Sequence, residues 1–289
     1  MILLTPRSGK VELKWTFEKG SILRYELTHA MLMDRGERGK IRQTILLGMR
    51  MEITDVKDRV AAIRVTLDRI KVEMAGSEYD SEDNKDSGKE DVMAKVMAAM
   101  VGKSFEMSLK DTGEVVEVRG CSDTIEKILK DVKDDSGMSS HLKAQFNDAQ
   151  IRALVDTALP CLPKEVVAEG GRWNHESVLS IHRIGQAAAK SKFKVTGISG
   201  KIVNFKTKTT LEFGEGSEDM HGSVDIWDAG AEGNGTWDGD QGRLTESKME
   251  TKVTAEAHGQ EFEIIITSTM KWAPTNDERK GVGHEDDNK

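Results

Sequence analysis

The chain has 289 residues, of which 37% are hydrophobic and 32% charged, and a formal net charge of −8. That length and apolar content suffice for a buried core and exclude a disordered chain, while the acidic balance, without any basic stripe, excludes a general nucleic-acid binder. Only Cys121 and Cys161 are present, which excludes a disulfide framework and a four-thiolate zinc site, and no apolar run is long enough for a membrane-spanning helix.

Met1 to Leu4 is too short for the core of a secretion signal. From Val11 the chain alternates: Val11, Leu13, Trp15 and Phe17 share one face and Glu12, Lys14 and Thr16 the other, which predicts a half-buried strand. After Lys19-Gly20 a second strand carries Leu23, Tyr25, Leu27, His29, Met31 and Met33 inward. A charged turn leads to Ile41, Gln43, Ile45, Leu47, Met49, Met51 and Ile53, and a polar turn to a return strand over 60–74, so the pair reads as a β-hairpin. The apolar face of that return strand changes phase between Leu67 and Ile70, which predicts a bulge or bend at Asp68-Arg69.

Residues 76–91 read as an acidic loop, and Met93, Val96, Met97, Met100 and Val101 as a short helix. A hairpin follows, with Phe105, Met107 and Leu109 turned by Asp111-Thr112-Gly113 into Val115, Val116 and Val118. Ile125, Ile128, Leu129 and Val132 have helical spacing, with Asp123 and Glu126 placed like a cap. Asn147 and Gln150 open another helix through Ile151, Leu154, Val155, Ala158 and Leu159, which Pro160 and Pro163 end.

Gly170-Gly171 opens a second β region: 173–181, 192–195, and 202–213 after a turn at Ser199-Gly200. Gly233-Asn234-Gly235 reads as a hairpin turn rather than a phosphate loop, because it opens no helix, and Trp237 beside it fits either core filling or an exposed sheet face. Two long strands close the pattern, with Thr245 to Ala257 alternating and, after His258-Gly259, Phe262 to Trp272. Residues 275–289 read as a disordered tail. The stretch 108–115 echoes 236–244, each a strand, an Asp-led turn closed by Gly and a return strand; a duplicated curved sheet and two ordinary hairpins both fit.

The run Leu159-Pro160-Cys161-Leu162-Pro163-Lys164-Glu165-Val166-Val167-Ala168-Glu169-Gly170-Gly171-Arg172-Trp173, with 13–20 and Gly242-Arg243-Leu244, resembles an uncharacterised family of exported bacterial β-rich proteins, a domain of unknown function. The resemblance implies a periplasmic or cell-envelope location and supplies no catalytic residue. No signal peptide or lipoprotein cysteine is recognisable near Met1, so a cytoplasmic location is the alternative.

The expected fold is α+β and mainly antiparallel β, with two curved sheets or half-barrels around a central helical segment. The expected organisation is an N-terminal β half over 1–120 with its helix near 91–101, a helical segment over 121–168, a C-terminal β half over 169–274 and the tail. No motif marks a catalytic, cofactor or metal site. The acidic stretch with Asp80, Glu82 and Asp83 lacks the glycine and distal glutamate of a calcium loop. His29, on an apolar strand face, lines a ligand cavity, serves as a base or is a satisfied core residue. His175 and His182 are an odd number apart and fall on opposite faces. The fourteen methionines fit a flexible apolar binding surface or ordinary core filling.

The expected function is therefore a non-catalytic envelope protein that binds a lipid, another apolar ligand or a partner segment in a curved β-sheet cavity. Behind it come a structural or protein-interaction module, then a hydrolase of unidentified site.

Overall fold

The structure, a computed structural model, describes residues 9–74, 76–83, 92–131, 138–181, 185–214, 224–257 and 259–274. In chain order its strands are β1 (Ile22–Asp34), β2 (Lys40–Lys57), β3 (Val60–Met74), β4 (Ser77–Asp80), β5 (Ser104–Lys110), β6 (Val115–Arg119), β7 (Arg172–Ile181), β8 (Gly185–Ser199), β9 (Ile202–Phe213), β10 (Val224–Asp238), β11 (Arg243–Ala257) and β12 (Gln260–Trp272). The helices are α1 (Val92–Met100), α2 (Cys121–Lys130), α3 (Met138–Gln145) and α4 (Asp148–Ala158). The tail 275–289, most of the acidic loop from residue 84, Val132, His182 and His258 lie outside the described residues.

The strands form one mostly sequential antiparallel sheet in the order β6-β5-β3-β2-β1-β12-β11-β10-β9-β8-β7, with β4 also on β3. The two β regions expected as separate sheets are thus continuous. They join where β1 pairs β12, from Tyr25 opposite Trp272 to Asp34 opposite Glu263. Two long strands left as free edges would each present a row of unpaired backbone groups, and pairing them removes both rows.

The alternation legible in the sequence sets the inward face. Tyr25 and Leu27 of β1, Ile45 to Ile53 of β2, and Ile63, Val65, Leu67, Ile70 and Val72 of β3 are buried. The change of phase in β3 is a bulge: Leu67 pairs Met49, Arg69 pairs Gly48, and Asp68 is left over. Gly48 makes room there, since a Cβ on it would lie 2.9 Å from that of Arg69. A similar irregularity opposite Thr236 and Trp237 leaves Thr245 out of register, so Leu244 rather than Thr245 is buried.

Two expectations are corrected, and one choice between alternatives is decided. Val11 to Phe17 is extended and alternates in burial, yet among the described residues it makes a single bridge, Val11 to Val167, and joins no ladder. It spans the two hairpins that echo each other in sequence: Trp15 N–H donates to the Asp111 carbonyl (2.8 Å) and Thr16 N–H to that of Gly242 (2.9 Å). Gly233 and Gly235 lie within β10 instead of in a turn. They are required by close approach, because a Cβ on Gly235 would sit 2.4 Å from the Phe205 ring and one on Gly233 2.5 Å from the Lys248 carbonyl. Trp237 is fully buried, edge-on to Trp15 with ring centroids 5.2 Å apart.

The helices α1 and α4 stand where helical spacing and the Asn147 cap place them, and Asn147 accepts from the Gln150 N–H at 2.9 Å. The cap of α2 differs from the expectation: Gly120 occupies its N-cap, and the Asp148 carboxylate of α4 accepts from the N–H groups of Cys121 (2.7 Å) and Ser122 (3.3 Å). The same charge that favours the N-terminus of α2 thereby ties α2 to α4.

Candidate ligand groove beneath helix α4

Helix α4 touches both edge strands, β6 and β7, as well as β1, β11 and β12 in the middle of the sheet. A flat sheet does not bring its two edges to one helix, so the sheet bends around α4. The helix is fastened at several points. Arg152 Nη2 donates to the Val115 carbonyl of β6 (3.0 Å), and the Ser247 hydroxyl of β11 donates to the Ala158 carbonyl, a last-turn acceptor that the helix leaves open. Beyond it, Trp173 of β7 donates its indole N–H to the Cys161 carbonyl (2.8 Å).

Over β2, β3 and β5 the packing beneath α4 is close, leaving about 10 Å³ near Val65, Phe105 and Val155. Over β7 to β11 it is open, with a cavity of about 300 Å³ bounded by Val115, Asp156, His175 and Thr209. Smaller cavities of about 50 and 40 Å³ continue toward the start of the helix. The first two share Thr157 and Leu179, and the last two share His29, Gln150 and Leu154, so the three form one run along α4. A further cavity of about 470 Å³ lies at the start of β7 against Leu162 to Val167, and shares Glu114, Cys161 and His175 with the 300 Å³ cavity.

The space has a local cause in the sequence. The registered row across β8 to β12 reads Ser191, Thr209, Ala231, Thr251 and Ile266, and the next reads Phe193, Thr207, Gly233, Met249 and Ser268. Opposed residues of antiparallel strands share a face, so a floor in which Ser, Thr, Ala and Gly outnumber Phe193, Met249 and Ile266 lies under the groove, where larger apolar side chains fill the other half of the sheet. The middle of the run is apolar, with Leu154 on the helix facing Leu179, Ile181 and Ile266 on the sheet.

The wide end carries charge. Arg152 Nε donates to Asp156 Oδ2 at 3.3 Å, and Glu114 holds Lys110 through both oxygens at 2.8 Å. Burial pushes the Asp156 carboxyl up to about 6 against the pull of Arg152. A raised folded-state acid leaves stability intact below the ordinary aspartate value, and stability then falls as pH rises through the window up to about 6. At neutral pH this amounts to about 2–3 kcal/mol. Asp156→Asn is therefore expected to be more stable than the parent by about 1–2 kcal/mol at pH near 7, after loss of the Arg152 contact, with the gain gone near pH 4. Urea midpoints at the two pH values measure this, and a variant no more stable at the higher pH would refute it.

His175 lies in this cleft with its pKa lowered by burial, so its imidazole is neutral at pH 7. Burial also pushes the Cys161 thiol up to about 11 and raises that of Cys121, mainly by desolvation. Both are free thiols rather than thiolates. His29 faces the groove as its strand position requires, with Nδ1 3.0 Å from the Ser268 hydroxyl. Ser268 is fully buried, and among the described residues no carboxylate lines the two cavities beside His29. Asp80 is buried against Arg69, and among the described residues no group of three or more His, Cys, Asp or Glu is placed to hold a metal. No helix among them is long and apolar enough to cross a membrane.

The family model of DUF6263, described as a family of unknown function, matches residues 58–259. No curated protein matches the sequence. Among solved structures, one described as lipid–protein interactions in lipovitellin superposes with a TM-score of 0.52 at 10% identity over 90% of this chain. The chain spans 26% of that lipovitellin chain, and at this identity the likeness is one of fold.

Proposed function

Because the chain belongs to DUF6263, a family of unknown function, its role has to be read from its own geometry, and we propose that it holds an apolar or amphipathic small molecule between α4 and the bent sheet. The observation that carries this reading is the run of three adjoining cavities along α4, over a floor with many small residues, with Leu154, Leu179, Ile181 and Ile266 in its middle. Burying a hydrocarbon chain there yields about 25 cal/mol for each Å² removed from water. The fold likeness to lipovitellin, whose structure is described in terms of lipid–protein interactions, is compatible with this reading, though fold alone is a weak warrant for function. The role is non-catalytic, and the envelope location implied by the family resemblance suits a carrier of this kind.

Leu179 lies at the junction of the two larger cavities of the run, so Leu179→Trp fills the passage while keeping a side chain that strands favour. The variant is expected to bind a hydrophobic reporter dye at least tenfold more weakly than the parent, with a thermal midpoint within a few degrees of it. Dye titration and native mass spectrometry of the protein from its host test this. Unchanged dye affinity, together with a ligand-free native spectrum, rejects the groove.

The second reading, a protein-interaction module, rests on β7. Its outer edge pairs no strand among the described residues, and Val178 on it is 61% exposed. A bound peptide rather than a small molecule in the native spectrum would favour it.

A further inference from the structure

The narrow end of the groove differs chemically from the wide end. Its cavity of about 40 Å³ is lined by Gln43, Gln145 and Gln150 with His29, Met31, Ile45 and Leu154, and none of these is a carboxylate, lysine or arginine. Gln145, the last residue of α3, is 6% exposed, and its Oε1 is buried without a hydrogen-bond partner among the described residues. At the other end of the same amide, Nε2 reaches the Met74 thioether at 3.9 Å, a weak acceptor. A buried amide oxygen left unpaired is destabilising, and the cavity beside it is several times the space that a single water needs.

The amide carries both acceptor and donor groups and no charge. A hydroxyl or amide satisfies such a lining by donating its O–H or N–H to Oε1, whereas a carboxylate or ammonium placed there is desolvated with no lysine, arginine or carboxylate beside it. Resting on the groove reading above, we propose that the ligand is a neutral amphiphile. Its uncharged hydrogen-bonding head docks at Gln145, between Gln43, Gln150 and His29, and its hydrocarbon chain runs along Leu154 and Leu179 into the wide cavity.

Three twelve-carbon probes of the same chain length discriminate the head group: monolaurin, laurate and dodecylamine, each competing at pH near 7.5 with a fluorescent dye seated in the groove. Monolaurin is expected to displace the dye at least tenfold better than either charged probe. Gln145→Leu is expected to weaken monolaurin about tenfold and leave the charged probes unchanged, so that the preference collapses. Gln145→Met, closer in shape, serves as a second variant should the leucine protein be unstable.

Equal displacement by all three probes, or a better one by laurate or dodecylamine, overturns the head-group assignment and leaves the groove standing. A preference for monolaurin that survives both substitutions also overturns it, since Gln145 then faces only a trapped water. Failure of every probe to displace the dye sinks this inference together with the groove.

Discussion

Trp237→Ala is expected to lower the free energy of unfolding by about 3–5 kcal/mol, among the largest losses available from a single truncation in this chain. The indole is fully buried and packs edge-on against Trp15, which in turn stacks on Phe17 and meets Tyr25 at its edge. Removing it opens a cavity where the extended segment 11–17 lies on the sheet, so the neighbouring rings lose contacts that collapse cannot restore. Trp237→Phe keeps most of the volume and removes an indole N–H that has no partner among the described residues, so about 1–2 kcal/mol is expected for it. Urea denaturation followed by circular dichroism checks both. A shift of the alanine variant below 1 kcal/mol would show that this aromatic group does not hold the segment to the sheet.

Arg69→Met is expected to cost about 3–5 kcal/mol near neutral pH, because it leaves a buried carboxylate without its counter-ion, still accepting from the Glu82 N–H (3.1 Å). Arg69 meets both oxygens of Asp80 (2.8 and 3.3 Å), and Asp80 is 3% exposed. The Arg69 guanidinium holds the Asp80 carboxyl below the usual aspartate range. The sign follows from that depression: the stabilisation is present above the ordinary aspartate value and lost as pH falls through the depressed one. In Arg69→Met the dependence reverses, since an unpaired buried acid gains from protonation, so the gap to the parent is expected to narrow from pH 7 to pH 4. The double variant Arg69→Met, Asp80→Leu is expected to recover more than half of the loss. A gap that stays constant with pH would mean that Asp80 is solvated in the variant.

Much of the sheet was legible because inward positions in β1, β2, β3 and β12 are mostly bulky and apolar, and those of β11 small or apolar between charged neighbours, a period that only extended backbone satisfies. Even the bulge at Asp68 showed as a change of phase. What escaped was written in small residues. Gln186 to Ala189 carries no strand preference, yet Ala187 and Ala189 are buried within β8. Gly233 and Gly235 signal a turn when read locally, and only the Phe205 ring lying over Gly235 explains them as strand.

The groove was partly legible through His29, whose strand parity points it inward. Gln145, Gln150, Arg152 and Asp156 were not, because polar residues on a helix read as its solvated face until the sheet is known to bend around them. One sequence signal was available: serine, threonine, alanine and glycine at the inward positions Ser191, Thr209, Ala231, Thr251 and Gly233, where a closed core calls for branched residues.

The pairing of β1 with β12 sets an order of events during biosynthesis. The first described strand waits beside β2 with one open flank until some 225 residues of intervening chain have been made. Until β12 emerges from the ribosome, the nascent β1–β3 meander carries an unprotected flank that other chains are able to invade. Closure of that central seam is thus the step at which the newborn molecule passes from aggregation-prone to safe, and holdase chaperones would have their main work before it.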